Sequence, residues 1–232
     1  GYLFNTNNSP FNATSKEYNL IEGDYNSSFS FREKENNRSL RFMEMIEDYD
    51  KVSFDDFKVI KYDQKYPDSI AFIGNISEIF SLSFENEDIV DIHNLITKWD
   101  RRGNYDNLGA AQWSLFYDYI LRILDKNEIE VTDTIPEKYF IEGLRETKKY
   151  LVKNFGRVDI LLGDLQKHVR GDIELPVSGL IDMIAPTYVV SHKDGTYRSV
   201  SGESYIMLVK YSKSDIEIET VLPYGNSNDS SS

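Results

Sequence analysis

The hydrophobic repeat changes period along this chain, and that change limits the folds open to it. From Arg38 to Gly156 apolar residues recur every three or four positions, whereas after Gly156 they alternate or run in short blocks. The first spacing lines one face of a helix and the second suits paired strands. Phe42, Met45, Ile46 and Tyr49 follow Arg38 on helical spacing. Ser53 is a good N-cap, and Asp55 and Asp56 stand in the following turn, where the helix dipole favours anions. Residues 87–99 carry Ile89, Ile92, Leu95, Ile96 and Trp99 in register, and 108–124 repeat the pattern with Leu108, Ala111, Leu115, Tyr119 and Ile123. The polar stretch KWDRRGNYDN (98–107) breaks the two apart. A further helix is predicted to open at Pro136 and to end near Gly156, a residue suited to a C-cap.

Strand signals flank this block. GYLF (1–4) reads as a strand that runs into NTNNSP, a turn rich in asparagine and proline, and 22–37 reads as loop. After Gly156, RVDILLG is a strand or its approach, ELPVSG (174–179) is extended, and SYIMLVKYS (204–212) pairs naturally with SDIEIETVLP (214–223). HKDGTY (192–197) carries Asp-Gly, a strong hairpin signal, and the tail GNSNDSSS is low-complexity. The predicted class is α+β, with strands from both ends around an inserted helical layer. The expected parts are 1–37, 38–156 and 157–232.

At 232 residues and 40% hydrophobic composition the chain is long enough to bury a sizeable core. Its formal charge of −13 repels phosphate backbones and anionic headgroups, so neither nucleic acid nor membrane is an expected partner. With no cysteine, thiol nucleophiles, disulfides and zinc fingers are excluded. Apolar runs such as DMIAPTYVV (182–190) fall short of the ~20 residues that span a bilayer. The first residue is Gly1 rather than Met, so the expectation is a soluble chain that is processed or cut from a longer one.

Most catalytic signatures are missing. His93, His168 and His192 are far apart and none has the spacing of a metal ligand pair, so no metal is assigned; His93 reads as a structural residue of its helix. There is no Gly-x-Ser-x-Gly elbow and no phosphate-binding glycine loop, and no cofactor is implied. The carboxylates read as solvated surface. The tripeptide Arg170-Gly171-Asp172 is read as the approach to a strand rather than as an adhesion motif.

Five segments in order carry a resemblance. They are the opening Gly1-Tyr2, Asn5, Asn7, Asn8, Ser9 and Pro10; LITKWDRR followed by LGAAQWSLFYDYI (95–120); RGDIELPVSG (170–179); GESY (202–205); and LPYGNSNDSSS (222–232). In this order the chain resembles the C-terminal part of the β chain of penicillin acylases and acyl-homoserine lactone acylases, in the N-terminal nucleophile hydrolase superfamily. The resemblance implies part of an αββα-type core and cleavage of an acyl amide by an N-terminal serine whose α-amino group is the base. It implies Asn7 as a side-chain donor to the oxyanion, since a carboxamide donates without carrying charge. It implies a supporting arginine at the head of the next helix. Arg38 and Arg41 both qualify by place; in the family apolar residues stand four, seven and eight places after that arginine, and Phe42, Met45 and Ile46 match this for Arg38, whereas Arg41 would put Met45, Asp48 and Tyr49 there, so the resemblance points to Arg38.

The departures are informative. Residue 1 is Gly rather than Ser, so the nucleophile, the α chain and the start of the β chain are implied to lie outside this chain, which alone is expected to be inactive. SGLIDMIAP lacks the second glycine usual after Leu-Pro-x-Ser-Gly. The implied partners are an acyl-amide small molecule and the remaining part of the same precursor, and the implied location is periplasmic or extracellular. The alternative is a non-catalytic module that binds carbohydrate or peptide through some of its 16 tyrosines.

Overall fold

The computed structural model describes residues 1–26, 28, 35–71, 73–85, 87–131 and 133–225. Residues 27 and 29–34 of the expected loop and 226–232 of the tail lie outside the described residues. The fold is α+β. Helices α1 (Asn37–Ile46), α2 (Phe54–Lys61), α3 (Val90–Thr97), α4 (Ala110–Lys126), α5 (Glu137–Phe155) and the short α6 (Leu162–Leu165) come first. Strands β1 (Gln166–Arg170), β2 (Ile173–Pro176), β3 (Thr187–Ser191), β4 (Tyr197–Gly202), β5 (Ile206–Tyr211) and β6 (Ile216–Val221) follow.

The central helices form where the periodicity places them, and their ends have local causes. Ser53 caps α2 by accepting from the Asp56 backbone N–H, while the Asp56 carboxylate accepts from Ser53, a reciprocal box. Gly109 (φ 97°) starts α4, where a Cβ would stand 2.6 Å from that of Trp99. Pro136 opens α5, and Gly156 closes it in the left-handed conformation at φ 71°. Gly143 lets α5 approach α4 closely, since a Cβ there would lie 3.0 Å from the Phe116 ring.

The main core fills the space between α3, α4 and α5. Trp113 is fully buried. The Phe80 ring stacks on it at 5.3 Å between centroids, and Trp99, Tyr117 and Phe116 lie at 5.6, 5.7 and 5.9 Å. His93 has the structural part read for it: Nε2 lies 2.9 Å from the Ile79 carbonyl oxygen. A second, smaller cluster of Met45, Ile46 and Ile60 joins α1 to α2.

Four strands form a mixed sheet in the order β2-β1-β4-β3, with β1 parallel to β4 and the other pairs antiparallel. Arg170 faces Ile173 across a hairpin tip made by Gly171 and Asp172, so the Arg-Gly-Asp tripeptide is a tight turn. Asp194 and Gly195 sit in the β3–β4 connection, both at positive φ, as the Asp-Gly signal predicts. The Tyr150 hydroxyl donates to the Gly195 carbonyl (2.9 Å) and ties α5 to this hairpin. β5 and β6 form a separate antiparallel pair.

Two expectations are corrected. Among the described residues no strand precedes Gln166, so GYLF is not a paired strand. Exposure still alternates along Tyr2, Leu3 and Phe4, as in an extended chain, but Tyr2 and Phe4 pack their rings on Phe42 and no ladder forms. RVDILLG makes only a single bridge, Leu161 to Leu108, before Leu162 enters α6.

Candidate functional site

The asparagine loop is built by its own side chains. The Asn5 Oδ1 accepts from the Asn7 backbone N–H at 2.7 Å, and the Asn8 Oδ1 accepts from the Thr6 backbone N–H at 2.9 Å. Both are i to i±2 contacts that fold the backbone tightly without help from a ladder. The Asn8 Nδ2 closes the loop by donating to the Asn12 carbonyl at 2.5 Å. Asn7 itself has φ 63°, a left-handed conformation that asparagine tolerates better than most residues. Two asparagines thus make the turn, and the third is displayed by it.

Helix α1 receives this display. Phe42 lies one helical turn beyond Arg38, so both project from one side of α1. Phe4 stacks on Phe42 at 4.3 Å, and three residues later Asn7 meets Arg38. The helix cap adds a second tether. Asn36 accepts from the Ser39 backbone N–H (2.9 Å) while its Nδ2 donates to the Thr6 carbonyl (2.8 Å), so the residue that starts the helix also holds the loop.

Arg38 donates from Nη1 to the Asn7 Oδ1 at 2.8 Å and from Nε to the Asp182 Oδ1 at 3.0 Å. A guanidinium has donors only, so the amide oxygen of Asn7 must face it, and the NH₂ group faces the opposite way. Among the described residues that Nδ2 has no acceptor, and Asn7 is exposed. The site therefore offers one neutral donor, fixed at its back by a cation and open at its front.

Asp182 was not legible as a site residue, because it is 145 residues away from Asn37 and belongs to the carboxylates read as surface. That reading is corrected here: Asp182 and Asp63 are 9% and 8% exposed, and each is buried because an arginine pairs with it. Arg41, the other candidate, donates to Asp63 from Nε and Nη2 at 2.9 and 3.1 Å and to Glu44 from Nη1. Burial works to lower the Arg41 pKa, but the bonds to Asp63 and Glu44 outweigh it and hold it above its ordinary value. Its donors are spent on this tie between α1 and the segment after α2. Burial likewise pushes up the phenol of Tyr117, and the negative charge of Asp182 adds to the effect.

Among the described residues no group of three or more histidines and carboxylates has a geometry that could hold a metal ion. No helix among them is long and apolar enough to cross a membrane.

The family model for penicillin amidase matches residues 1–232, and the chain belongs to that family of amidase hydrolases of the N-terminal nucleophile class. No curated protein matches the chain.

Proposed function

We propose that this chain is the C-terminal β-chain part of an acylase that hydrolyses a linear acyl amide, such as an acylated β-lactam nucleus or acyl-homoserine lactone. In this reading an N-terminal serine outside the chain attacks the carbonyl, and its α-amino group takes the hydroxyl proton and passes it to the leaving amine. Negative charge collects on the acyl oxygen, and the Asn7 NH₂ donates to it. Arg38 supports the step by holding the amide oxygen of Asn7, so that the donor is set before charge develops. The observation that carries the reading is the contact between Arg38 and Asn7, an exposed residue, which leaves the Nδ2 without an acceptor among the described residues.

Residues 1–37 then supply the donor loop, 38–156 the helical block that anchors it, and 157–232 the largely β remainder. The processed precursor is exported to the periplasm or cell exterior. Expression of the complete open reading frame, followed by intact-mass spectrometry, should show two chains. The product should hydrolyse phenylacetyl or decanoyl p-nitroanilide. Asn7→Ala should lower kcat by about 100- to 1,000-fold, with a stability loss of only about 1–2 kcal/mol, because alanine is strained at the positive φ of this position. A full-length product that is neither split nor active on either amide would overturn the reading in favour of a non-catalytic binding module.

A further inference from the structure

We infer that Asp182 is a positioning residue for the proposed reaction, acting through Arg38 to turn the Asn7 NH₂ toward the acyl oxygen. This rests on the reading of Asn7 given above and adds a group that no sequence motif marks.

The carboxylate of Asp182 is saturated by donors from a single short stretch. Its Oδ1 accepts from the Arg38 Nε at 3.0 Å, and its Oδ2 accepts from the Asn37 backbone N–H at 3.0 Å and from the Asn37 Nδ2 at 2.9 Å. It thus sits at the first turn of α1, where the helix dipole also favours an anion. Asn37 extends the network by accepting at Oδ1 from the Ala71 backbone N–H at 2.7 Å.

What makes this an aiming device is the rigidity behind it. Asp182 has φ 59°, uncommon for a residue other than glycine, and its neighbours hold it there. Leu180 and Met183 are buried in the main core, at 3% and 1% exposure. The Ile181 carbonyl accepts from the hydroxyl of the fully buried Tyr66, and the Ala185 N–H donates to the Asp63 carbonyl at 3.2 Å. The carboxylate is in effect bolted to the helical core. A bond at Nε fixes the plane of the guanidinium, and the Nη1 arm of that plane reaches Asn7. Without the carboxylate, Arg38 would keep its charge, lose its counter-ion and be free to turn toward water, releasing the Asn7 amide to rotate.

A purely structural salt bridge would also weaken the fold when broken, so the test must separate aim from stability. In the full-length enzyme, assayed with decanoyl and phenylacetyl p-nitroanilide, Asp182→Asn is expected to lower kcat by about 100-fold while KM moves by less than about 3-fold. On an Arg38→Met background the same substitution should lower kcat no further, because its route is already cut. A crystal structure of the Asp182→Asn variant should show the contact between Arg38 and Asn7 lost. Unchanged kcat, an equal loss on both backgrounds, or a retained contact would overturn the inference. If Asp182→Asn does not fold, Asp182→Glu carries the same three readouts, since it keeps the charge and displaces it by one methylene. If instead Asn7→Ala is fully active, the oxyanion reading fails, while the structure of the Asp182 variant still decides whether Asp182 orients Arg38.

Discussion

The helical core and the asparagine loop are held by opposite means. Around Trp113 the aromatic rings of Phe80, Trp99, Phe116 and Tyr117 pack within 6 Å, all but Phe80 at 5% exposure or less. At the loop the apolar part is smaller, the cluster of Met45, Ile46 and Ile60 with the rings of Tyr2 and Phe42 against it and Phe4 stacked on Phe42, and the fixation nearest Asn7 is polar: Asn36 to Thr6, Arg38 to Asn7, Asp182 to Arg38. Apolar burial is non-directional and scales with area, so it stabilises without aiming anything. Hydrogen bonds add little net stability but fix direction. One region therefore carries the free energy of the fold and the other carries orientation.

Substitutions should separate the two. Trp113→Ala has the largest expected effect, about 3–5 kcal/mol of stability, measurable by urea unfolding. In the part of the population that remains folded, turnover should be near normal; a proportional loss of kcat per folded molecule would show that the core also aims the site. Asn36→Ala comes next. Loss of the cap is expected to cost about 1 kcal/mol, and loss of the bond to Thr6 should lower kcat as well. If stability falls and kcat does not, the loop is held without this tether and its orientation rests on Arg38 alone.

The smallest effect is set by pH. Tyr66 and Tyr117 both have phenols raised above the ordinary value of 10.0, by burial first and then by neighbouring groups including Asp182. A raised folded pKa means that stability is intact below pH 10.0 and falls above it, as the unfolded chain releases protons that the folded one keeps. Unfolding midpoints measured on either side of that pH should show the fall, and the double substitution Tyr66→Phe, Tyr117→Phe should reduce it, leaving the share of Tyr197, whose phenol burial also raises. A profile unchanged by the double substitution would place the titrating groups elsewhere.

Legibility in the sequence follows the same division. Helices α4 and α5 could be read because their causes are local: an apolar stripe, Pro136 at one end and Gly156 at the other. The Ser53 cap and the Asp194-Gly195 turn were visible for the same reason. Helix α1 starts at Asn37, one residue ahead of the predicted place, since the cap is Asn36 and capping by asparagine leaves no apolar signal. The unpaired opening segment misled because alternation marks an extended chain but says nothing of a partner. Asp182 was hidden because it joins Arg38 across 144 residues, and a lone carboxylate gives no period or spacing to read. Resemblance to a family pointed to Asn7 and Arg38, and only the fold could show what stands behind them.

The most direct test is a crystal structure of the full-length enzyme with a tetrahedral phosphonate analogue of the acyl amide. The Asn7 Nδ2 should lie about 2.7–3.1 Å from the oxygen that mimics the oxyanion, with its Oδ1 still on Arg38 and Arg38 still on Asp182. An Asn7 amide turned to solvent, or lying beyond hydrogen-bond reach of that oxygen, would contradict the role given to Asn7.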